Sequence, residues 1–170
     1  LWDETIRMGI ELRKRLRALK REFEARENPA EAWFFDPFVP AGFAESEGRQ
    51  VAWEDIETDR LATEARLWTL GGDASWHGFP TLPESYAMTD PNKLTLLTPG
   101  FERKTGRYAE RGVPAPILAE YLREQRIVPE KNDLNSILFL ITPGLEAGKA
   151  GNLIAALTRF HRLDAENAPM

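Results

Sequence analysis

The chain has 170 residues, 42% of them hydrophobic, and a formal net charge of −5 at pH 7. A chain of this length buries about 70% of the surface that it exposes when unfolded, so one hydrophobic core is feasible. Acidic and basic residues are mixed without a basic stripe, which argues against nucleic acid as a partner. The sequence has no cysteine, no secretory leader and no apolar run of membrane length. These features predict a cytoplasmic protein without disulfides or a membrane partner.

A long helix is predicted at the start of the chain, over residues 2–26. Trp2, Ile6 and Ile10 widen its apolar sector near the start only. This asymmetry fits a linking helix whose first half leans on a second domain, and equally an ordinary amphipathic helix with an extra packed edge. Because the chain begins inside this pattern and without methionine, we expect a fragment or a processed form. The apolar face itself consists of Met8, Leu12, Leu16, Leu19 and Phe23.

The middle of the chain is predicted to alternate short elements with turns. Residues 36–50 contain Pro37, Pro40, Gly42 and Gly48, which favour a loop. A loop of that length in a compact domain is unusual and suggests an insertion or a segment that covers a site. The predicted elements, in chain order, are a strand at 33–35, the loop at 36–50, a helix at 57–65 with Thr58 as its cap, a strand at 94–97 and a charged loop or hairpin at 101–111.

The segment at residues 112–143 predicts a compact unit. Pro114 at a helix start and apolar residues at helical spacing predict a helix over 114–125. Residues 127–128 are predicted as a short strand, and the apolar run at 137–141 as a strand covered on both faces. The polar residues 130–133 between them form a predicted turn, where a carboxylate held by rigid elements could recognise a cation.

The predicted fold class is α+β, with a small, mainly antiparallel sheet and helices on one face. Its strands are expected near Trp33, Leu94, Ile127 and Ile137, and helices over 114–125 and 149–163 form the layer. A helix layer on one face leaves the other sheet face available for a partner. The element count alone also fits a ferredoxin-like domain.

The two histidines and Lys93 are the residues that first suggest chemistry. Trp76 and Phe79 flank His77 at a turn, where the simplest interpretation is packed aromatics and a histidine bonded to a backbone carbonyl. One histidine without a spaced second ligand does not predict a metal site. His161 is expected on the surface or satisfied. Lys93 adjoins an apolar run that could activate it as a Schiff-base lysine, but no phosphate cradle adjoins it.

Several motifs occur in an order and spacing that resemble the bacterial ornithine/lysine/arginine decarboxylases, pyridoxal-phosphate enzymes of the aminotransferase-like fold. Pro129-Glu130-Lys131 followed by Asp133-Leu134-Asn135-Ser136 is most similar to the ornithine-specific branch. The resemblance runs from Leu1 to about Leu163. The other motifs are Trp76-His77-Gly78-Phe79, the segment DPNKLTLLTPG at residues 90–100, and the segment at residues 112–143.

The resemblance implies a division of the chain into a linking helix, residues 1–27, and the small α+β domain of a decarboxylase, residues 28–170. The family holds its cofactor through a lysine in a Ser-x-His-Lys setting, and neither His77 nor His161 is followed by lysine. We therefore expect no catalytic, cofactor-binding or metal-binding residue in this chain. Pyridoxal phosphate is expected in the complete enzyme and not on this chain alone.

The resemblance also implies site residues and partners. Glu130 corresponds to the carboxylate that reaches the distal ammonium of the substrate, and Trp76 and His77 would border the active-site entrance. The implied partners are the cofactor-binding large domain, an amino-acid substrate and a second subunit of a homo-oligomer. Apolar surface near Trp2, Ile6, Ile10 and residues 33–35 is the expected docking face.

Two classes of function remain open from the sequence. The first is part of an ornithine decarboxylase, which converts L-ornithine into putrescine and carbon dioxide, or part of a lysine or arginine decarboxylase. The second is a free-standing binding or regulatory module that has the same fold without catalysis. An upstream coding region with the Ser-x-His-Lys motif would favour the first.

Overall fold

The computed structural model describes residues 1–45, 48–79 and 81–167. Within these residues, no helix is both long enough and apolar enough to cross a membrane. The helices are α1 (Trp2–Glu24), α2 (Thr58–Thr63), α3 (Ala115–Glu124) and α4 (Ala147–Ala165), with short 3-10 turns at Trp53–Asp55 and Ala65–Trp68. The strands are β1 (Asp36–Pro37), β2 (Gly42–Ala44), β3 (Gln50–Ala52), β4 (Lys93–Leu97), β5 (Phe101–Glu102), β6 (Arg107–Tyr108), β7 (Lys131–Asn132) and β8 (Ser136–Leu140).

A four-stranded antiparallel sheet in the order β1-β4-β8-β7 is the centre of the fold. Its longest ladder joins β4 and β8, from Lys93 opposite Leu140 to Leu97 opposite Ser136. Successive side chains of a strand point to opposite faces. Alternate residues of both strands are therefore buried on one face, which confirms the predicted strand at 94–97 and the α+β class.

Helices α1, α3 and α4 cover that buried face in one continuous core with Leu94, Leu96 and Ile137. Pro114 caps α3 at a position where its missing N–H costs nothing, and Leu118 and Leu122 lie one turn apart against the sheet. The predicted helix layer on one face is confirmed. The predicted strand at 137–141 is correct, but its covering on both faces is wrong, because Leu140 is 46% exposed on the opposite face.

Two predicted strands are wrong. Residues 33–35 have no strand structure. Instead Phe34 is buried beside Phe23 and His161, Phe35 is buried beside Phe160, and the strand falls on the next two residues. Residues 127–128 form the end of the α3 turn, and the second strand of this unit is β7, inside the predicted polar turn. Phe34, Phe35 and Ile127 pack against the core without strand pairing, while Val128 is exposed.

A second core, built around Trp53 and Trp68, covers the first half of α1. The indole N–H of Trp53 donates to the carbonyl of Leu67 at 3.0 Å, and that of Trp68 donates to the carbonyl of Leu61 at 2.7 Å. The predicted loop at 36–50 is therefore wrong, since it contains β1 and β2, and β3, which pairs with β2 and leads into this core, begins at its last residue. The second core comprises Ile10, Val39, Trp53, Ile56, Leu61, Leu67 and Trp68.

The two cores together correct the expected docking face. Ile10, Phe34 and Phe35 are buried within the chain, while Trp2 remains 56% exposed. The predicted helix at 57–65 is present as α2, but its cap is Glu57 and not Thr58.

The β5–β6 hairpin, predicted as a charged loop or hairpin, leaves the body of the fold through a narrow base. The backbones of Gly100 and Gly112 meet there, so that a Cβ on Gly100 would lie 2.5 Å from the Cα of Gly112. The N–H of Val113 donates to the carbonyl of Pro99 at 3.0 Å. Gly100 has a φ of +110°, a conformation that side chains disfavour, so glycine is required at this position.

Candidate functional site

Glu130 directly precedes β7, at one edge of the four-stranded sheet. Its N–H donates to the carbonyl of Leu138 at 2.8 Å, beside the pair formed by Lys131 and Leu138. The backbone is therefore fixed, while the side chain is exposed. Among the described residues, no Lys, Arg or His nitrogen lies within 4 Å of its carboxylate, so it forms an ion pair with neither Lys131 nor Arg126.

The turn after β7 is held by Asp133. Its Oδ1 accepts the N–H groups of Asn135 and Ser136 at 2.8 and 2.7 Å, and its Oδ2 accepts the Ser136 hydroxyl at 3.0 Å. A carboxylate that accepts local backbone bonds in this way is a turn-forming group. Asp133 thus makes the β7–β8 connection rigid, which leaves Glu130 as the carboxylate of this edge that is available to a ligand.

His77 lies near the opposite edge of the sheet, and the residue is buried, with 4% of its surface exposed. Its Nδ1 accepts the N–H of Phe79 at 3.1 Å, so the ring proton is on Nε2, which donates to the carbonyl of Gly71 at 2.8 Å. The prediction that a backbone carbonyl satisfies His77 is confirmed. Phe79 stacks on the imidazole but is 52% exposed, so its predicted packing is only partial.

Arg103 joins the Trp76–His77 segment to the sheet. One end of its guanidinium donates to the carbonyl of Trp76 at 2.5 Å, and the other to Oδ2 of Asp36 at 3.1 Å. Burial lowers the pKa of Arg103, and the nearby Asp36 carboxylate partly offsets that effect. Gly78 has a φ of +75°, and a Cβ there would lie 2.9 Å from the carbonyl oxygen of Arg103. Glycine therefore allows the segment and the hairpin to approach closely.

Arg17 completes what we call the β1-edge network: Arg17, Asp36 and Arg103. Nε of Arg17 lies 2.8 Å from Oδ1 of Asp36, and Nη2 donates to the carbonyls of Pro37 and Val39 at 3.1 Å each. The side chains of Arg17 and Asp36 are 13% and 17% exposed. The network lines a cleft of about 650 Å³ together with Trp76. Charges here are paired with one another, as expected for an anchoring arrangement.

No sequence pattern predicted the β1-edge network. Asp36 falls in the predicted loop, and Arg103, which is 67 residues away, falls in the predicted charged hairpin. No local spacing links them, because the pair exists only once β1 is added beside β4. An aspartate between an aromatic run and a proline is too common in protein sequences to indicate an ion pair.

The structure does not bring together the residues that the sequence suggested for the site. Glu130 lies at the β7 edge, and Trp76 lies beside Asp36 at the β1 edge, with β4 and β8 between them. The two edges are about 14 Å apart, which is three strand spacings. Within this chain, Glu130 and the Trp76–His77 segment are therefore not neighbours.

The described residues do not fit pyridoxal phosphate. None of the lysines in the described residues is buried: Lys14 donates to the carbonyl of Ile56 at 2.6 Å, and Lys93 is half exposed beside Asp90 at 3.2 Å. Neither has the desolvated setting that activates a Schiff-base lysine. No group of three His, Asp or Glu side chains that could hold a metal occurs in residues 1–45, 48–79 and 81–167.

Known proteins resemble this chain in sequence. A family model described as Orn/Lys/Arg decarboxylase, major domain, matches residues 1–149. The constitutive ornithine decarboxylase of Escherichia coli K12 is 40% identical over 170 residues, which cover the whole chain and 22% of that protein. The inducible lysine decarboxylase of the same strain is 37% identical over 162 residues, which cover 95% of the chain and 19% of that protein.

A solved structure resembles it as well. The Francisella novicida lysine decarboxylase LdcF is 32% identical with a TM-score of 0.75, and the match covers 97% of this chain and 19% of that one. The chain thus spans about a fifth of the length of the relatives that it matches. The family model covers well over half of the chain, and its match agrees with the observed fold. This chain belongs to the Orn/Lys/Arg decarboxylase family.

Proposed function

We propose that this chain is part of a pyridoxal-phosphate-dependent decarboxylase that converts L-ornithine into putrescine and carbon dioxide. Family membership and 40% identity to an ornithine decarboxylase support the proposal. When bound, the cofactor supplies the electron sink for loss of carbon dioxide. The described residues do not fit it, so we place it on the large domain of the complete enzyme. The role of this chain is to recognise the substrate.

Glu130 carries the proposal. Its backbone is bonded to β8 and the next turn is held by Asp133, while its carboxylate is exposed and has no cation within 4 Å among the described residues. A group preorganised in this way can bind a substrate cation with little loss of conformational freedom. The distal ammonium of ornithine is such a cation. The ammonium of lysine lies one methylene further from the α-carbon, so a fixed carboxylate can distinguish the two.

The test is Glu130→Gln in the full-length decarboxylase. Glutamine keeps the size of the side chain and removes its charge, which leaves the substrate ammonium poorly paired in a desolvated site. We expect a cost of about 2–5 kcal/mol in transition-state binding. This corresponds to a loss of about thirty- to several-thousand-fold in kcat/KM for ornithine. Steady-state kinetics with ornithine and lysine measure both the efficiency and the preference.

The matched control is Glu124→Gln, which removes an exposed carboxylate from the last turn of α3. It should leave both kinetic constants unchanged. Cofactor absorbance should be the same in both variants. If Glu130→Gln leaves the efficiency and the ornithine-over-lysine preference unchanged, Glu130 is a surface residue and the proposed recognition role is wrong.

The arrangement of the complete enzyme belongs to the same proposal. We assign residues 1–27 to a linking helix and residues 28–170 to a small domain; the family model matches residues 1–149. The Trp76–His77 segment would border the active-site entrance, with the large domain and a second subunit of a homo-oligomer as partners. Support comes from the fixed neutral tautomer of His77 and from the attachment of the segment through Arg103.

A further inference from the structure

A groove of about 640 Å³ lies between the end of α3, strand β8 and helix α4, and neither Glu130 nor the β1-edge network lines it. Its apolar lining includes Ile127, Val128, Phe139 and Leu140. Val128 is 76% exposed and Leu140 is 46% exposed. Adjacent exposed apolar side chains of this size are typical of a surface that another apolar group covers.

The charged side chains around this groove are all basic. Arg126, Lys149 and Arg159 line it, and no Asp or Glu is among its described lining residues, although the chain as a whole carries a net charge of −5. Within the described part of the chain, neither Arg126 nor Arg159 has a carboxylate oxygen within 4 Å. Lys149 donates to the carbonyl of Gly144 at 3.2 Å. The groove is therefore complementary to an apolar group that carries carboxylates.

Arg126 has a backbone conformation that is unusual for a residue other than glycine. It follows the last turn of α3 with a φ of +61°. Its N–H donates to the carbonyl of Arg123 at 2.9 Å, and the N–H of Ile127 donates to that of Leu122 at 2.8 Å. These two bonds define a Schellman motif, in which glycine usually takes the left-handed position. An arginine in that position has a conformational cost, and such outliers indicate a side chain with a role.

We propose that this groove binds a segment of the same decarboxylase polypeptide, outside these 170 residues, that carries apolar side chains and at least one carboxylate. The inference rests on the proposed function only in that the chain is one part of a longer decarboxylase. The relatives are about five times as long as the matched region, so such polypeptide is available. Covalent tethering gives the segment a high effective concentration, so weak contacts suffice.

The test is protection of a thiol in the groove. Val128→Cys is introduced into the full-length decarboxylase, and maleimide labelling of its peptide is followed by mass spectrometry. If the groove is covered, labelling should be at least about ten-fold slower than in the urea-unfolded protein, since it requires local opening. In the same background, Arg126→Gly should return labelling to nearly the unfolded rate. Arg126→Lys, which keeps the charge, should keep labelling slow.

Arg126→Gly is informative because glycine favours a positive φ, so the substitution introduces no backbone strain at the end of α3. Ser85→Gly is the matched control for the backbone change: it replaces another non-glycine residue, at a φ of +56°, and should leave labelling unchanged. Labelling requires no turnover, so its result is independent of the Glu130 kinetics.

Three results would overturn the inference. The thiol in the native protein could react at the unfolded rate, which means that the groove is open. Slow labelling could persist in Arg126→Gly, which means that charge does not select the occupant. Slow labelling could also disappear once the protein is unfolded, washed and refolded, which identifies a small amphiphilic anion and not a polypeptide segment.

Discussion

At the β1 edge of the sheet, the Asp36 carboxylate lies between the guanidinium groups of Arg17 and Arg103, and all three side chains are largely buried. At the β7 edge, Glu130 has an equally fixed backbone but an exposed carboxylate without a cation within 4 Å among the described residues. Charges that satisfy one another hold the fold together. A charged side chain on a fixed backbone that the fold does not pair is available to a ligand.

The largest loss in the free energy of unfolding is expected when the β1-edge network is disrupted. Asp36→Asn leaves Arg103 without its carboxylate and Arg17 with only Glu54, at 4.0 Å. Loss of one partner from a buried pair costs about 3–5 kcal/mol. Partial solvent exposure of the pair places the expected loss near the low end, at about 3 kcal/mol. Urea unfolding of the chain measures it. An unchanged unfolding midpoint would show that the β1-edge network does not stabilise the fold.

His77 is expected to contribute less than Asp36 to the free energy of unfolding. His77→Ala removes the donor to Gly71 and leaves the N–H of Phe79 without its acceptor, and each buried group left unsatisfied costs about 1–3 kcal/mol. We expect a loss of about 2 kcal/mol in the free energy of unfolding, since the segment can relax towards water. His77→Asn, which keeps a donor and an acceptor, is the control and should lose less.

The stability of the fold should also depend on pH through His161. Burial lowers the pKa of His161, the Arg26 charge lowers it further, and the bond to the Glu31 carbonyl partly opposes both. The unfolded chain therefore binds a proton before the folded chain does, so stability should fall as the pH decreases from about 6.5 towards the folded pKa. The carboxylates with lowered pKa values, Glu45 and Glu64, titrate at lower pH.

Urea unfolding at a series of pH values tests the contribution of His161. In His161→Gln, the decrease in stability just below pH 6.5 should be absent, while the decrease at lower pH should remain. If the variant and the parent chain show the same slope between pH 7 and pH 5.5, protonation of His161 is not the cause.

The smallest effect on stability is expected at the β7 edge. Glu130→Gln should change the free energy of unfolding by less than about 0.5 kcal/mol, as exposed substitutions usually do. Together with the expected kinetic loss in the full-length enzyme, this result would separate recognition from folding. A loss above about 1 kcal/mol would mean that Glu130 stabilises the edge, and the contrast between the two edges would no longer hold.

Sequence patterns predicted the elements that have enough residues to show a period. The faces of α1 and α3 and the alternation in β4 were predictable because each repeats over several residues. β1 and β7 have two residues each, which is too short for any periodicity. Their positions depend on the edges of a sheet that forms elsewhere in the chain, so local sequence does not specify them.

Part of the candidate site was also predictable from the sequence, and part was not. Glu130 was found through a motif, and the structure supplies its fixed backbone. The pairing of Asp36 with Arg103 spans 67 residues and has no sequence signature. The core around Trp53 and Trp68 was missed because it joins side chains from α1 and from separate short segments, and no local spacing links them.

The back-to-back contact of Gly100 and Gly112 has a consequence for changes in chain length. It closes the base of the β5–β6 hairpin, and the N–H of Ala109 also donates to the carbonyl of Gly100 at 2.8 Å. At the tip, a Cβ on Gly106 would meet no atom within 4 Å. Residues inserted beside Gly106 would extend into solvent without disturbing β4 or α3. The tip is therefore a suitable position for an epitope or a fluorescent label.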